Sequence, residues 1–154
     1  MSVYSFPEFL KTFTEIKPMS NFEIIEKCKE LKIKNFRGVY MRDELKGKST
    51  RNECLILNHD ISQNDGTHWT ALFIRNGVSF YFDSFGFDPP LEIELYCRKP
   101  ERYCSTTKIQ QFDEVICGHY CIFVLYRLSN GSKFFDVLNE LYEYNYKKIK
   151  IKKN

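Results

Sequence analysis

Apolar and polar positions follow two rhythms along this chain, and the change between them divides it into three stretches. The first is helical. Ser5, followed by Pro7 and Glu8, predicts a short helix, since an opening turn tolerates proline and favours a carboxylate. Ser20-Asn21-Phe22-Glu23 is a capping box, Met19 and Ile24 fit the flanking hydrophobic staple, and Phe22, Ile25, Cys28 and Leu31 recur at helical spacing, which predicts a helix over about 21–31. In the middle stretch the runs shorten and become rich in β-branched and aromatic residues, so 53–58, 68–75 and 79–84 read as strands. Asn76-Gly77 supplies the positive φ angles of a tight hairpin turn. That turn sets 68–75 antiparallel to 79–84 in a register that brings Thr70 opposite Asp83, with His68 just beyond.

Helices return afterwards. Pro89-Pro90 precedes a helical turn or two over 91–97, and Thr and Ile with a following turn suggest a strand near 106–110. From 117 to 128 the apolar residues are almost continuous, which at this length predicts a buried helix rather than an amphipathic one. A last helix is expected over 134–144. Helices, then mainly antiparallel strands, then helices again predict an α+β domain with a central sheet packed against helices.

Composition narrows the class. With 154 residues, 43% hydrophobic and 16% aromatic, the chain can bury a core of its own and is far from a disordered segment. The longest apolar run, 121–126, is too short to cross a bilayer, and 1–17 lacks the apolar core of a secretory signal. No membrane contact and no secretion are expected. The six cysteines therefore read as free thiols in a reducing compartment. The formal charge of +3 is modest, with Lys147, Lys148, Lys150, Lys152 and Lys153 gathered at the end. We divide the chain into a single domain over 1–146 and a basic tail over 147–154, either a solubilising end or a contact for something acidic, and expect a monomer.

The helix expected to begin at Cys117 changes the picture. Unpaired N–H groups and the dipole at a helix start favour negative charge, and so can lower a thiol pKa from about 8.5 toward neutrality. Gly118, without a side chain, would let a backbone or substrate approach the sulfur. Spacing alone leaves Cys117 open between a nucleophile and one more small core residue. A thiol nucleophile also needs an imidazole and a group to orient it. His119 follows Cys117 at i+2 on the helix and points to a nearly opposite face, so it reads as structural. His59 lies in a polar loop and reads as a solvated surface residue. His68, opening an apolar strand, is the best base, and Asp83, closing an aromatic strand, could orient it or serve as a turn residue before Gly86. Zinc is disfavoured, because Cys117 and Cys121 have no second closely spaced pair and Cys97 and Cys104 are separated by six residues.

Taken together, Gly66-Thr67-His68-Trp69, Tyr81-Phe82-Asp83-Ser84-Phe85-Gly86-Phe87, Ile109-Gln110 and Val115-Ile116-Cys117-Gly118-His119-Tyr120-Cys121 resemble, in order and spacing, the adenovirus protease (adenain) and its relatives in virophages and Maverick/Polinton elements. The resemblance covers about 52–128. It implies a papain-like α+β fold, Cys117 as nucleophile at the start of a buried helix, His68 as base, Asp83 as the acid where adenain uses glutamate, and Gln110 in the oxyanion hole. Gln111 stands beside it, and the Ile-Gln pairing selects Gln110. Trp69 is expected to pack beside the His68–Asp83 pair and dry it, and with Gly118 to meet the substrate.

The implied activity is that of a cysteine endopeptidase cutting viral capsid or precursor proteins, after a small-residue motif such as Gly-x-Gly, inside virions or the host cytoplasm or nucleus. Alternatives are a protease for ubiquitin-like modifiers and an inactive interaction module of the same fold. Adenain depends on an activating peptide and on DNA. This shorter chain offers no obvious site for a disulfide-linked peptide, so no cofactor is expected, and the lysine tail is the candidate contact for an activating peptide or nucleic acid.

Overall fold

The computed structural model describes residues 2–63, 68–97, 101–110 and 115–153, and for 148–153 it describes the helical backbone. Gly66, Thr67, Gln111 and the rest of 111–114 lie outside the described residues. Five strands form one sheet in chain order: β1 (Phe36–Met41), β2 (Glu53–Asn58), β3 (Trp69–Arg75), β4 (Val78–Phe82) and β5 (Arg102–Cys104). The three central strands run antiparallel, while β1 and β5 are parallel to their neighbours at the two edges. The β3–β4 register pairs Ala71 with Phe82 and Arg75 with Val78, which carries Thr70 opposite Asp83 as the sequence predicts. Asn76 (φ 52°) and Gly77 (φ 82°) both occupy the left-handed region, as this two-residue turn requires.

Side-chain alternation splits the sheet into two buried faces. Cys54, Ile56, Ala71, Phe73 and Phe82 face a layer of four helices: α1 (Phe6–Leu10), α2 (Asn21–Glu30), α4 (Cys117–Ser129) and α5 (Phe134–Lys153). Leu55, Leu57, Leu72, Ile74 and Tyr81 face the short α3 (Leu91–Tyr96) through Ile93 and Tyr96. Helix α4 lies in the middle of the thicker layer, between the sheet and the other helices. This explains its apolar run: from Gly118 to Tyr126 every residue is buried. The predicted capping box of Ser20 with Glu23 is present, and Ser5 with Glu8 forms a second at the start of α1.

Two expectations need correction, and one strand has no counterpart in the sequence reading. The strand expected over 106–110 lies earlier, as β5, and 106–110 instead is irregular backbone whose Ile109 and Gln110 N–H groups donate to the Ser84 carbonyl at 2.7 and 3.0 Å. Strand β1 has no clean period, being half-exposed along most of an edge, which hides it from pattern reading. Helix α5 runs on to Lys153 rather than ending near 144, so the lysine-rich end continues a helix.

Candidate active site

Three of the residues singled out from the sequence lie at the ends of elements that adjoin in the fold. His68 immediately precedes β3, Asp83 immediately follows β4, and Cys117 is the first residue of α4. Antiparallel pairing places the first two on diagonal positions. The His68 Nε2–H donates to Asp83 Oδ1 at 2.7 Å, with the His68 side chain 9% exposed and that of Asp83 fully buried. With Nε2 engaged by Asp83, Nδ1 is the nitrogen left for the Cys117 thiol, which is near enough to act on the charge of the ring.

Burial alone would push the His68 pKa down, because it penalises the charged ring. The hydrogen bond to Asp83, helped by the Cys117 thiol and by the charge of the carboxylate, overcomes burial and raises it to about 9. Asp83 is in turn fixed from three sides. Its Oδ1 accepts the Phe85 N–H at 2.8 Å, its own N–H donates to Ser105 Oγ at 2.8 Å, and the Ser105 hydroxyl donates back to its carbonyl at 3.0 Å. The Gly86 N–H donates to the Asp83 carbonyl at 2.8 Å and closes the turn. Gly86 has φ 76°, and a β-carbon there would lie 2.8 Å from the Thr106 carbonyl oxygen, so both conformation and space demand glycine.

The next residue of that turn holds the amide. The Ser84 hydroxyl donates to Gln110 Oε1 at 2.6 Å, and both side chains are buried. With Oε1 on Ser84, the NH2 end of the amide points away from that hydroxyl.

Two aromatic residues divide the roles expected of one. Phe85 stacks on the His68 ring at 4.2 Å between centroids and 15° between planes. Trp69 donates its indole N–H to the Met19 carbonyl at 3.2 Å, tying the entry of α2 to the sheet. Gly118 is buried, and a β-carbon there would stand 3.4 Å from Trp69 and 3.5 Å from Ile24 and Met19. These are ordinary contact distances, so the packing of these neighbours does not by itself demand glycine.

His59 is the residue misread from the sequence. It is no solvated surface group, because its N–H donates to the His68 carbonyl at 2.9 Å and so extends the β2–β3 ladder one pair past Asn58 and Trp69. Its Nε2 lies 2.8 Å from the Tyr81 hydroxyl and 3.8 Å from Asp83 Oδ2. The polar run after it hides this register; pairing 53–58 with 69–75 on their apolar residues would have revealed it. His119, read as structural, is fully buried against Phe13 at 4.7 Å between ring centroids.

All six cysteines are free. Burial raises the pKa of Cys28 and Cys121 and pushes Cys54 up to about 12, and Cys104 is also raised. Among the described residues no group of three or more His, Cys, Asp and Glu side chains could hold a metal ion.

No family model matches this chain. A protein of Acanthamoeba polyphaga mimivirus named as a thiol protease is 30% identical over 110 residues, which take in 63% of this chain and 36% of that protein. The chain thus covers 36% of the length of this relative. Among solved structures, the ASFV pS273R protease is similar with a TM-score of 0.57 at 19% identity, over 84% of this chain and 66% of the other. Its selenomethionine form gives 0.55 at 16% identity over the same shares. At such identities the likeness is one of fold, and the mixed five-stranded sheet with its helical layer is the α+β fold of the ASFV pS273R protease.

Proposed function

We propose that this protein is a viral cysteine endopeptidase, similar to adenain, that cuts capsid or precursor proteins through an acyl-thioenzyme. The observation that carries this reading is the His68 ring held by buried Asp83, with Cys117 at the start of a buried helix near enough to act on it. The mimivirus relative named as a thiol protease supports the same class.

In the proposed cycle Cys117 starts as a thiolate beside a His68 imidazolium. The raised pKa of His68 favours the proton on the ring at neutral pH. The sulfur attacks the scissile carbonyl carbon, and the carbonyl electron pair moves to oxygen. The oxyanion is met by the Gln110 amide and the Cys117 backbone N–H. On collapse the C–N bond breaks and His68 gives its proton to the leaving amine, forming the thioester. His68, now neutral, takes a proton from water as the water oxygen attacks the thioester carbonyl, and the sulfur leaves as thiolate. Asp83 fixes the ring through Nε2, so that Nδ1 faces the reacting atoms. In this reading Trp69, half-buried beside the start of α4, borders the substrate.

The reading is tested by exposing the purified protein to a peptide library and following cleavage by mass spectrometry. Cleavage at a recurrent motif that disappears with Cys117→Ala and with His68→Ala is expected. Cleavage that persists in Cys117→Ala removes the proposal.

A further inference from the structure

The triad reading leaves one side of its acid unexplained. Asp83 is fully buried, and while Oδ1 takes two hydrogen bonds, Oδ2 has none among the described residues. The group that stands over Oδ2 is a second imidazole: His59 Nε2 lies 3.8 Å away, too far for a hydrogen bond, and 2.8 Å from the Tyr81 hydroxyl. The His59 and His68 rings are 6.0 Å apart, edge to face. Two imidazoles therefore flank one carboxylate.

Resting on the catalytic reading above, we infer that His59 is a positioning residue: neutral, it accepts the Tyr81 hydroxyl and leaves Asp83 to His68, whereas protonated, it takes Oδ2 and loosens the hold on His68. The geometry explains why the two states exclude each other. In its Nδ1–H tautomer the neutral ring accepts the Tyr81 O–H at Nε2 and offers Asp83 nothing. A charged ring carries a proton on Nε2 with a carboxylate at ion-pair distance. Closing 3.8 Å to hydrogen-bond length swings the carboxylate and draws Oδ1 off both His68 and the Phe85 N–H.

The charged groups facing His59 fix where this happens. Burial holds its pKa below the ordinary imidazole value. Asp83 and, from α3, Glu92 act to raise it, while His68 and, from the 3-10 turn Arg42–Glu44, Arg42 act to lower it. Arg42 and Glu92 form an ion pair at 3.5 Å and largely offset one another. His59 is therefore neutral near pH 7, and the change belongs to the acid side.

The experiment follows the downfield His68 Nε2 proton by NMR, and the rate constant kcat, as the wild-type protein is taken from about pH 7.5 to about pH 5, in parallel with His59→Gln, His59→Phe and Tyr81→Phe. In wild type the resonance moves upfield in one step whose midpoint is the titration of His59. Both His59 variants lack that step, and each retains about threefold or more of activity at about pH 5 relative to wild type, when every protein is normalised to its own rate at about pH 7.5. Tyr81→Phe, which removes the donor to the neutral ring, moves the step to higher pH. A His68 resonance that titrates identically with and without His59 overturns the inference. Should wild type show the coupled step yet cleave nothing at any pH, the protease reading falls and the pairing of the two imidazoles stands.

Discussion

Ser84 donates its hydroxyl to the amide oxygen of Gln110 at 2.6 Å, while the residue before it, Asp83, receives the ring N–H of His68 at 2.7 Å. Two neighbours in one turn thus hold the proposed base and the proposed oxyanion donor. Ser84→Ala is expected to leave the Gln110 amide without its anchor. The predicted result is a fall in kcat of about tenfold to a hundredfold with KM little changed, and about 1 kcal/mol of stability lost. Alkylation of Cys117 by iodoacetamide, which forms no oxyanion, should keep its wild-type rate. Steady-state kinetics beside alkylation kinetics check the split.

Gly86 closes the same turn with a left-handed φ of 76° against the Thr106 carbonyl. Gly86→Ala adds conformational strain and a contact the backbone cannot yield to, and is expected to destabilise the fold by about 1–3 kcal/mol. A urea unfolding curve with a lower midpoint and unchanged slope is the expected outcome.

Buried His119 has no hydrogen-bond partner for either ring nitrogen among the described residues, and burial lowers its pKa to about 4. The folded state thus resists a proton that the unfolded chain accepts at about 6.5. Its cost to stability is absent above that value, grows as pH falls, and is complete below about 4, amounting to about 3 kcal/mol. His119→Phe should flatten the decline in unfolding free energy between about pH 6.5 and 4. Denaturant titrations at several pH values measure it.

The positions of these groups were unequally legible in the sequence. Asn76-Gly77 fixes a two-residue hairpin, so the register carrying His68 and Asp83 together follows from local chemistry. Ser20 and Glu23 likewise announce the start of α2, and the unbroken apolar run from Cys121 announces a helix enclosed on all sides. Strand β5 was misplaced because 106–110 takes its backbone hydrogen bonds from a turn, which leaves no periodic trace. Phe85 was overlooked as the ring on His68 because a stacking partner one turn away has no spacing rule. His59 was misread because the polar residues after it resemble any exposed loop, while its place depends on the ladder between β2 and β3.

The central claim is that Cys117, alone among six cysteines, is activated by His68. Its most direct test is alkylation of the native protein with limiting iodoacetamide at about pH 7, mapped by mass spectrometry, in wild type and in His68→Ala. Cys28, Cys54, Cys97 and Cys121 are buried and serve as internal controls, with half-buried Cys104 as the exposed comparison. We predict labelling at Cys117 that exceeds labelling at Cys104 by about tenfold or more in wild type, and that falls to the level of Cys104 without His68. Equal labelling of Cys117 and Cys104 in the wild-type protein, or labelling of Cys117 that ignores the loss of His68, would contradict the account.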